Sequence, residues 1–221
     1  MRRYIYFVFL LCCAVNLLLT SCVRQKYVVM DMVHHNPGEA MTESKFLDPS
    51  FLKKNEYGAK VFFLFEAAQF GIDWKSFDPS LFPDTTEAGR WVAEKAEIIH
   101  KKYDAAKKED LQVYCMLDML VLPSLLVEKH RTELTNEQGK LDISKPYTQL
   151  CIRELMKEMF ETFPQLDGLV IRTGETYLHD APYYVGNHPV QNGMYDHITL
   201  INLLREEVCE RRNKKLFYRT W

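Results

Sequence analysis

Five short apolar runs, at residues 27–33, 60–66, 111–120, 167–175 and 215–221, recur along the chain with helix-length segments between them. This alternation is the strongest constraint on the fold. Strand side chains point alternately to opposite faces, so a run that is apolar at successive positions needs cover on both. Strands of this kind, separated by amphipathic helices, obtain that cover in a parallel sheet. The predicted order is β-α-β-α-β-α-β-α-β, an α/β chain.

The segments between the runs carry helix signals. In DPSFLKKNEYG, Asp48 suits an N-cap, Pro49 the first helical position and Gly58 the end. Asp84 with Glu87 forms a capping-box pattern, after which Ala88, Trp91, Val92, Ala96, Ile99 and Tyr103 recur at helical spacing. A third helix carries Tyr147, Leu150, Cys151, Leu155, Met159 and Phe163 and is closed by Pro164. A fourth runs over about residues 192–212, with Met194, Ile198, Ile201 and Val208 on one side. Residues 123–145 are polar and irregular, a loop or small excursion.

Two architectures accommodate five such units: a doubly wound open parallel sheet, and the first part of a (β/α)8 barrel. Two features favour the barrel. No helix follows the fifth run to cover an open sheet. In addition, polar groups stand at or just beyond the end of every run: His34, His35 and Asn36; Glu66; Asp118; Arg172 and Glu175; Arg219. A barrel gathers such ends around one axis. The expectation is an incomplete (β/α)8 TIM barrel over residues 23–221, with about five of eight strands present and the chain truncated. The doubly wound open sheet is the alternative.

Residues 1–22, MRRYIYFVFLLCCAVNLLLTSC, have a basic start, an apolar middle and small residues at the end, the pattern of an export signal peptide. Leu19-Thr20-Ser21-Cys22 resembles the lipobox of bacterial lipoproteins. That resemblance implies a lipidated Cys22 at the mature N-terminus and a protein anchored to a membrane of the cell envelope. A retained transmembrane anchor is the competing reading. The remaining cysteines, Cys115, Cys151 and Cys209, are odd in number, match no metal or disulfide spacing and are expected to be small buried hydrophobes. With a formal charge of -2 and no Lys/Arg block, the chain gives no reason to propose a nucleic-acid partner. Adjacent His34 and His35 point to opposite faces of an extended strand, which argues against a shared metal, and no cofactor is expected.

The candidate chemistry sits at the run ends. Glu175, beside Arg172 and near Tyr177 and His179, suits a general acid or a charged ligand for a substrate. Arg172 has a fork that holds a carboxylate in one orientation. A structural Arg172–Glu175 ion pair that merely closes the turn stays open as the alternative. Trp74, Phe77, Phe82, Tyr177, Tyr183, Tyr184 and Trp221 lie in or beside the loops after the runs, where aromatic faces can stack on sugar rings, while some of them are expected simply to pack the loops onto the barrel. Asn36, Glu66, Asp118, Arg172, Tyr177, His179, Arg219 and Trp221 form the candidate substrate-binding set.

The lipobox together with HHNPGE, FLFE, IRTGE and YRTW resembles the N-terminal part of a glycoside-hydrolase-like barrel lipoprotein of the type common in glycan-degrading Bacteroidetes. The resemblance covers most of the mature chain at superfamily level, and both α-glucuronidase-like and hexosaminidase-like barrels fit it. It implies a carbohydrate substrate or ligand and an acid/base glutamate at the end of the fourth strand, the position of Glu175. Where the commonest version of that site has Asn-Glu, this chain has Gly174-Glu175. The second carboxylate is expected late in the barrel. A non-catalytic glycan-binding lipoprotein, or a decayed gene fragment, is the alternative.

Overall fold

The computed structural model describes residues 28–31, 45–63, 66–174, 176–178 and 180–219. Strand β1 (Met30–Asp31) is followed by a 3-10 turn at Lys45–Leu47 and helix α1 (Pro49–Lys54). Asp48 caps α1 as expected, its carboxylate accepting from the Ser50 N–H at 2.9 Å. The helix ends at Asn55 and not at Gly58. Gly58 serves a different purpose, since a Cβ there would stand 2.9 Å from Val28 Cγ1.

Strand β2 (Ala59–Phe62) stops short of Glu66 and gives way to a 3-10 helix at Ala68–Gly71. Helix α2 (Glu87–Lys108) is capped by Thr86, not Asp84: the Thr86 hydroxyl accepts from the Gly89 N–H at 3.0 Å. That hydroxyl also donates to the Pro83 carbonyl at 2.7 Å, so the chain bends into the helix at Thr86, and Asp84 pairs instead with Lys75. Strand β3 (Gln112–Asp118) follows, then β4 (Val121–Pro123), α3 (Ser124–Lys129) and α4 (Arg131–Leu134). Residues 123–145 thus contain two short helices where the sequence suggested irregular chain. Their apolar Leu126, Val127 and Leu134 are buried.

Helix α5 (Pro146–Thr162) leads to β5 (Leu166–Arg172), a short strand β6 (Tyr184–Gly186), helix α6 (Met194–Leu204) with a π-helical turn at Arg205–Glu210, and β7 (Lys215–Arg219). On α5, Cys151, Leu155 and Met159 are buried as expected, whereas Leu150 is exposed. The expected apolar face of α6 is corrected. Met194 and Ile198 are exposed, and the buried face carries Asp196, Leu200, Leu203 and Leu204. Asp196 accepts from the Gln191 and Asn192 N–H groups, each at 2.6 Å, and so fastens the loop at the helix N-terminus. A π turn then adds a residue and brings Val208 onto the buried side.

The main sheet has the order β1-β2-β3-β5-β7, and every neighbouring pair is parallel. Strand order follows chain order without reversal. β4 and β6 form a separate antiparallel pair beyond the carboxyl end of β3. Side chains alternate between two clusters. Phe62, Val113, Cys115, Leu117, Leu169 and Ile171 join one with the buried residues of α2, α5 and α6. Val61, Tyr114, Met116 and Val170 face the other way, into a cluster with Ala59 and Phe63 that contains no helix residue. All three long helices therefore cover one face of the sheet, the consequence of right-handed crossovers that always step in the same direction.

Candidate functional site

Asp118 is the last residue of β3 and Arg172 the last of β5, and the parallel register sets them side by side, with Arg219 next in line on β7. Arg172 donates from Nε to Asp118 Oδ1 at 2.6 Å and from Nη2 to Oδ2 at 2.7 Å. Both side chains are about one-twentieth exposed. The Tyr177 backbone N–H donates to Asp118 Oδ2 at 2.9 Å. The guanidinium carbon lies 4.8 Å from the Phe63 ring centroid and 4.6 Å from that of Tyr177, so an aromatic ring stands within cation–π range on each count. A two-pronged pair with stacked rings offsets the desolvation that burying two charges costs. The loop after β5 is pinned to β3 in consequence.

The cleft beside this pair is lined by Ala67, Gln69, Phe70 and Met116 together with Phe63, Asp118 and Tyr177. It has room for a group about the size of one hydroxyl or water. Gln69 is 3% exposed, and its Oε1 has no hydrogen-bond partner among the described residues. A buried amide oxygen left unsatisfied is costly. Asp118 accepts three hydrogen bonds, one fewer than the roughly four a carboxylate can take. Gln69 had no signal in the sequence reading. It lies in the middle of EAAQFG, on the 3-10 helix after β2, and lines the same cleft as Asp118.

Of the residues singled out by the sequence, Asp118, Arg172 and Tyr177 come together here, and Arg219 stands in register beside Arg172. Glu66 faces elsewhere: its carboxylate pairs with Lys102 of α2, and its carbonyl accepts from the Tyr103 hydroxyl at 2.8 Å. Glu175, Asn36, His179, Trp221 and Cys22 lie outside the described residues. Among the loop aromatics, five take the packing role. Trp74, Phe82 and Tyr184 are buried in the helix-side core, and Phe77 and Tyr183 pack against it, so these rings fasten the loops to the sheet. Cys115 and Cys151 are buried, and burial pushes both thiols up to about 12, while Cys209 is only partly buried. Among the described residues no group of three His, Cys, Asp or Glu is placed to hold a metal, and no helix is long and apolar enough to cross a membrane.

No family model matches the chain, and no curated protein does. Among solved structures it is similar to a GH138 enzyme targeting pectin rhamnogalacturonan II, at 16% identity over 59% of this chain and 14% of that one, with a TM-score of 0.38. It is also similar to a noncanonic maltogenic α-amylase, AmyB from Thermotoga neapolitana, at 14% identity over 83% of this chain and 43% of that one, with a TM-score of 0.46. The chain thus spans less than half the length of either structure.

Proposed function

We propose that this chain supplies the first five units of a (β/α)8 barrel that holds a glycan across the carboxyl ends of its strands, in a lipid-anchored, glycoside-hydrolase-like protein. The observation that carries the reading is a water-sized space lined by both Gln69, whose buried Oε1 has no hydrogen-bond partner among the described residues, and Asp118, whose carboxylate accepts three hydrogen bonds there. An acceptor lining such a space suits a protruding O–H of a ligand, which donates one hydrogen. The Tyr177 ring, which carries the Arg172 guanidinium, lines the same space.

Barrel closure is supported by the strand order. A parallel sheet that never reverses carries its helices on one face and turns the other inward when it curls. The outer edge of β7 has no strand partner among the described residues, and Met194, Tyr195 and Ile198 of the adjacent α6 are exposed. Both features suit a sixth strand and its helix. In this reading Glu175, three residues beyond Arg172, is the acid, and a later part of the barrel supplies the second carboxylate. The Leu19–Cys22 motif supports attachment to the cell envelope through a lipidated Cys22.

The test is a glycan array on the intact protein, followed by two substitutions. Gln69→Met keeps the side-chain length and removes the amide; affinity for the bound glycan should fall about tenfold, the worth of one buried hydrogen bond. Glu175→Gln should leave that affinity unchanged and abolish turnover. Unchanged affinity in Gln69→Met would mean that a bound water satisfies the amide and that the cleft is not a ligand site. Retained turnover in Glu175→Gln would remove the catalytic assignment and leave a glycan-binding protein.

A further inference from the structure

A second recess lies on the helix-covered side of the sheet, between α2 and the segment that enters α1. Its volume is about 670 Å³, within the range of small-molecule sites. Its polar groups have nearly one sign: Lys60, Lys95, Lys101 and Lys102 line it, against Glu66 as the single carboxylate among the described lining residues. Glu66 is engaged by Lys102. Lys95 and Lys101 have no carboxylate partner among the described residues, and Lys95 instead holds its ammonium 5.3 Å from the Trp91 ring centroid. Lys60 is 3% exposed and donates to the Phe46 carbonyl at 2.9 Å.

Between the lysines the surface is aliphatic. Lys95, Ile98 and Lys102 form one stripe of α2, spaced three and four residues apart. Ile98 is 47% exposed, and Leu47, which also lines the recess, is 38% exposed. Phe62 and Pro49 complete the apolar lining. A ligand tail that covered Ile98 and Leu47 together would remove apolar area from water.

From this combination we infer that the recess binds a small amphiphilic anion: a single carboxylate or phosphate head held by Lys95 and Lys101, with an aliphatic tail laid along Ile98, Leu47 and Phe62. A head group alone would leave the aliphatic surface wet, and a neutral tail would leave Lys95 and Lys101 without a counter-charge among the described residues. The ligand therefore needs both parts. The recess is distinct from the Gln69–Asp118 cleft, with which it shares no lining residue.

The test is calorimetric titration of the full chain with decanoate and with octyl phosphate. Octyl glucoside serves as the tail without charge, and inorganic phosphate as the charge without tail. Both anionic amphiphiles should bind, and both controls should bind at least about tenfold more weakly. The double substitution Lys95→Gln/Lys101→Gln should weaken the amphiphiles about tenfold or more and leave octyl glucoside unchanged. Ile98→Ser should weaken the amphiphiles and leave inorganic phosphate unchanged. All these positions are on the surface of α2, and an unchanged thermal melt would show that the fold is retained. Vesicles of phosphatidylglycerol separate the two sources of such an anion. Binding to them that decanoate displaces identifies a membrane lipid as the source, and decanoate binding without vesicle binding identifies a soluble one; either supports the site. Equal affinity for octyl glucoside, no effect of the lysine substitutions, or vesicle binding without decanoate binding overturns it.

Discussion

The Asp118–Arg172 pair shows how one contact joins fold and site. Two charges about one-twentieth exposed are tolerable only together, and removing one strands the other. Arg172→Ala should therefore cost about 3–5 kcal/mol in urea unfolding, the range for breaking a buried pair. The double substitution Asp118→Leu/Arg172→Met should recover part of that loss. It still leaves the Tyr177 N–H without its acceptor, a deficit of about 1–3 kcal/mol. A double variant less stable than Arg172→Ala would show that the pair's value lies outside charge burial. A second ionic contact predicts a pH effect. Lys129 first, and then Ser80, hydrogen-bond to Asp78 and hold its carboxyl down at about 2, below its ordinary value of 3.8. A carboxyl depressed in the folded state stabilises the fold above its unfolded value and loses that contribution as pH falls through the folded one. The difference in melting temperature between wild type and Asp78→Asn should be full at pH 5 and shrink between pH 3.8 and 2. A difference that stays constant over that window would show that the contact does not depend on charge.

Among the elements, β5 and β7 meet where Gly168 faces Lys215. A Cβ at Gly168 would lie 2.1 Å from the Lys215 carbonyl oxygen, a backbone atom that no rotamer change can move. Gly168→Ala should push β7 away from the sheet, and faster amide exchange over residues 215–219 would report it. Exchange unchanged from wild type would mean that the strands shift together at little cost. The strands and long helices were legible in the sequence because each carries a run or a stripe of apolar residues of sufficient length. What escaped was governed by single polar groups. Buried Asp196 disguised the inner face of α6, and the π turn shifted its period, so Met194 and Ile198 looked like core. The Thr86 hydroxyl took the capping role that Asp84 with Glu87 suggested. The antiparallel β4–β6 pair joins three-residue segments more than sixty residues apart, too short for any period to show. At the site, Asp118, Arg172 and Tyr177 were visible because charged and aromatic groups stand out at the ends of apolar runs. Gln69 was not, because an uncharged side chain in a loop gains meaning only from what the fold places beside it.

At the scale of the whole molecule, five parallel strands in chain order carry α2, α5 and α6 on one face and bring their carboxyl ends to one side. The proposal that a glycan lies across that side makes a spatial claim, and hydrogen exchange measures it directly. The intact protein would be compared with and without the glycan selected by the array, and slowed exchange read along the chain. Protection should concentrate in residues 66–70 after β2, 118–120 after β3 and 172–178 after β5. Residues 131–145 and the far ends of the strands should exchange as before. Protection confined to other segments, or a glycan library from which nothing binds, would contradict a carbohydrate site at the carboxyl ends of the strands.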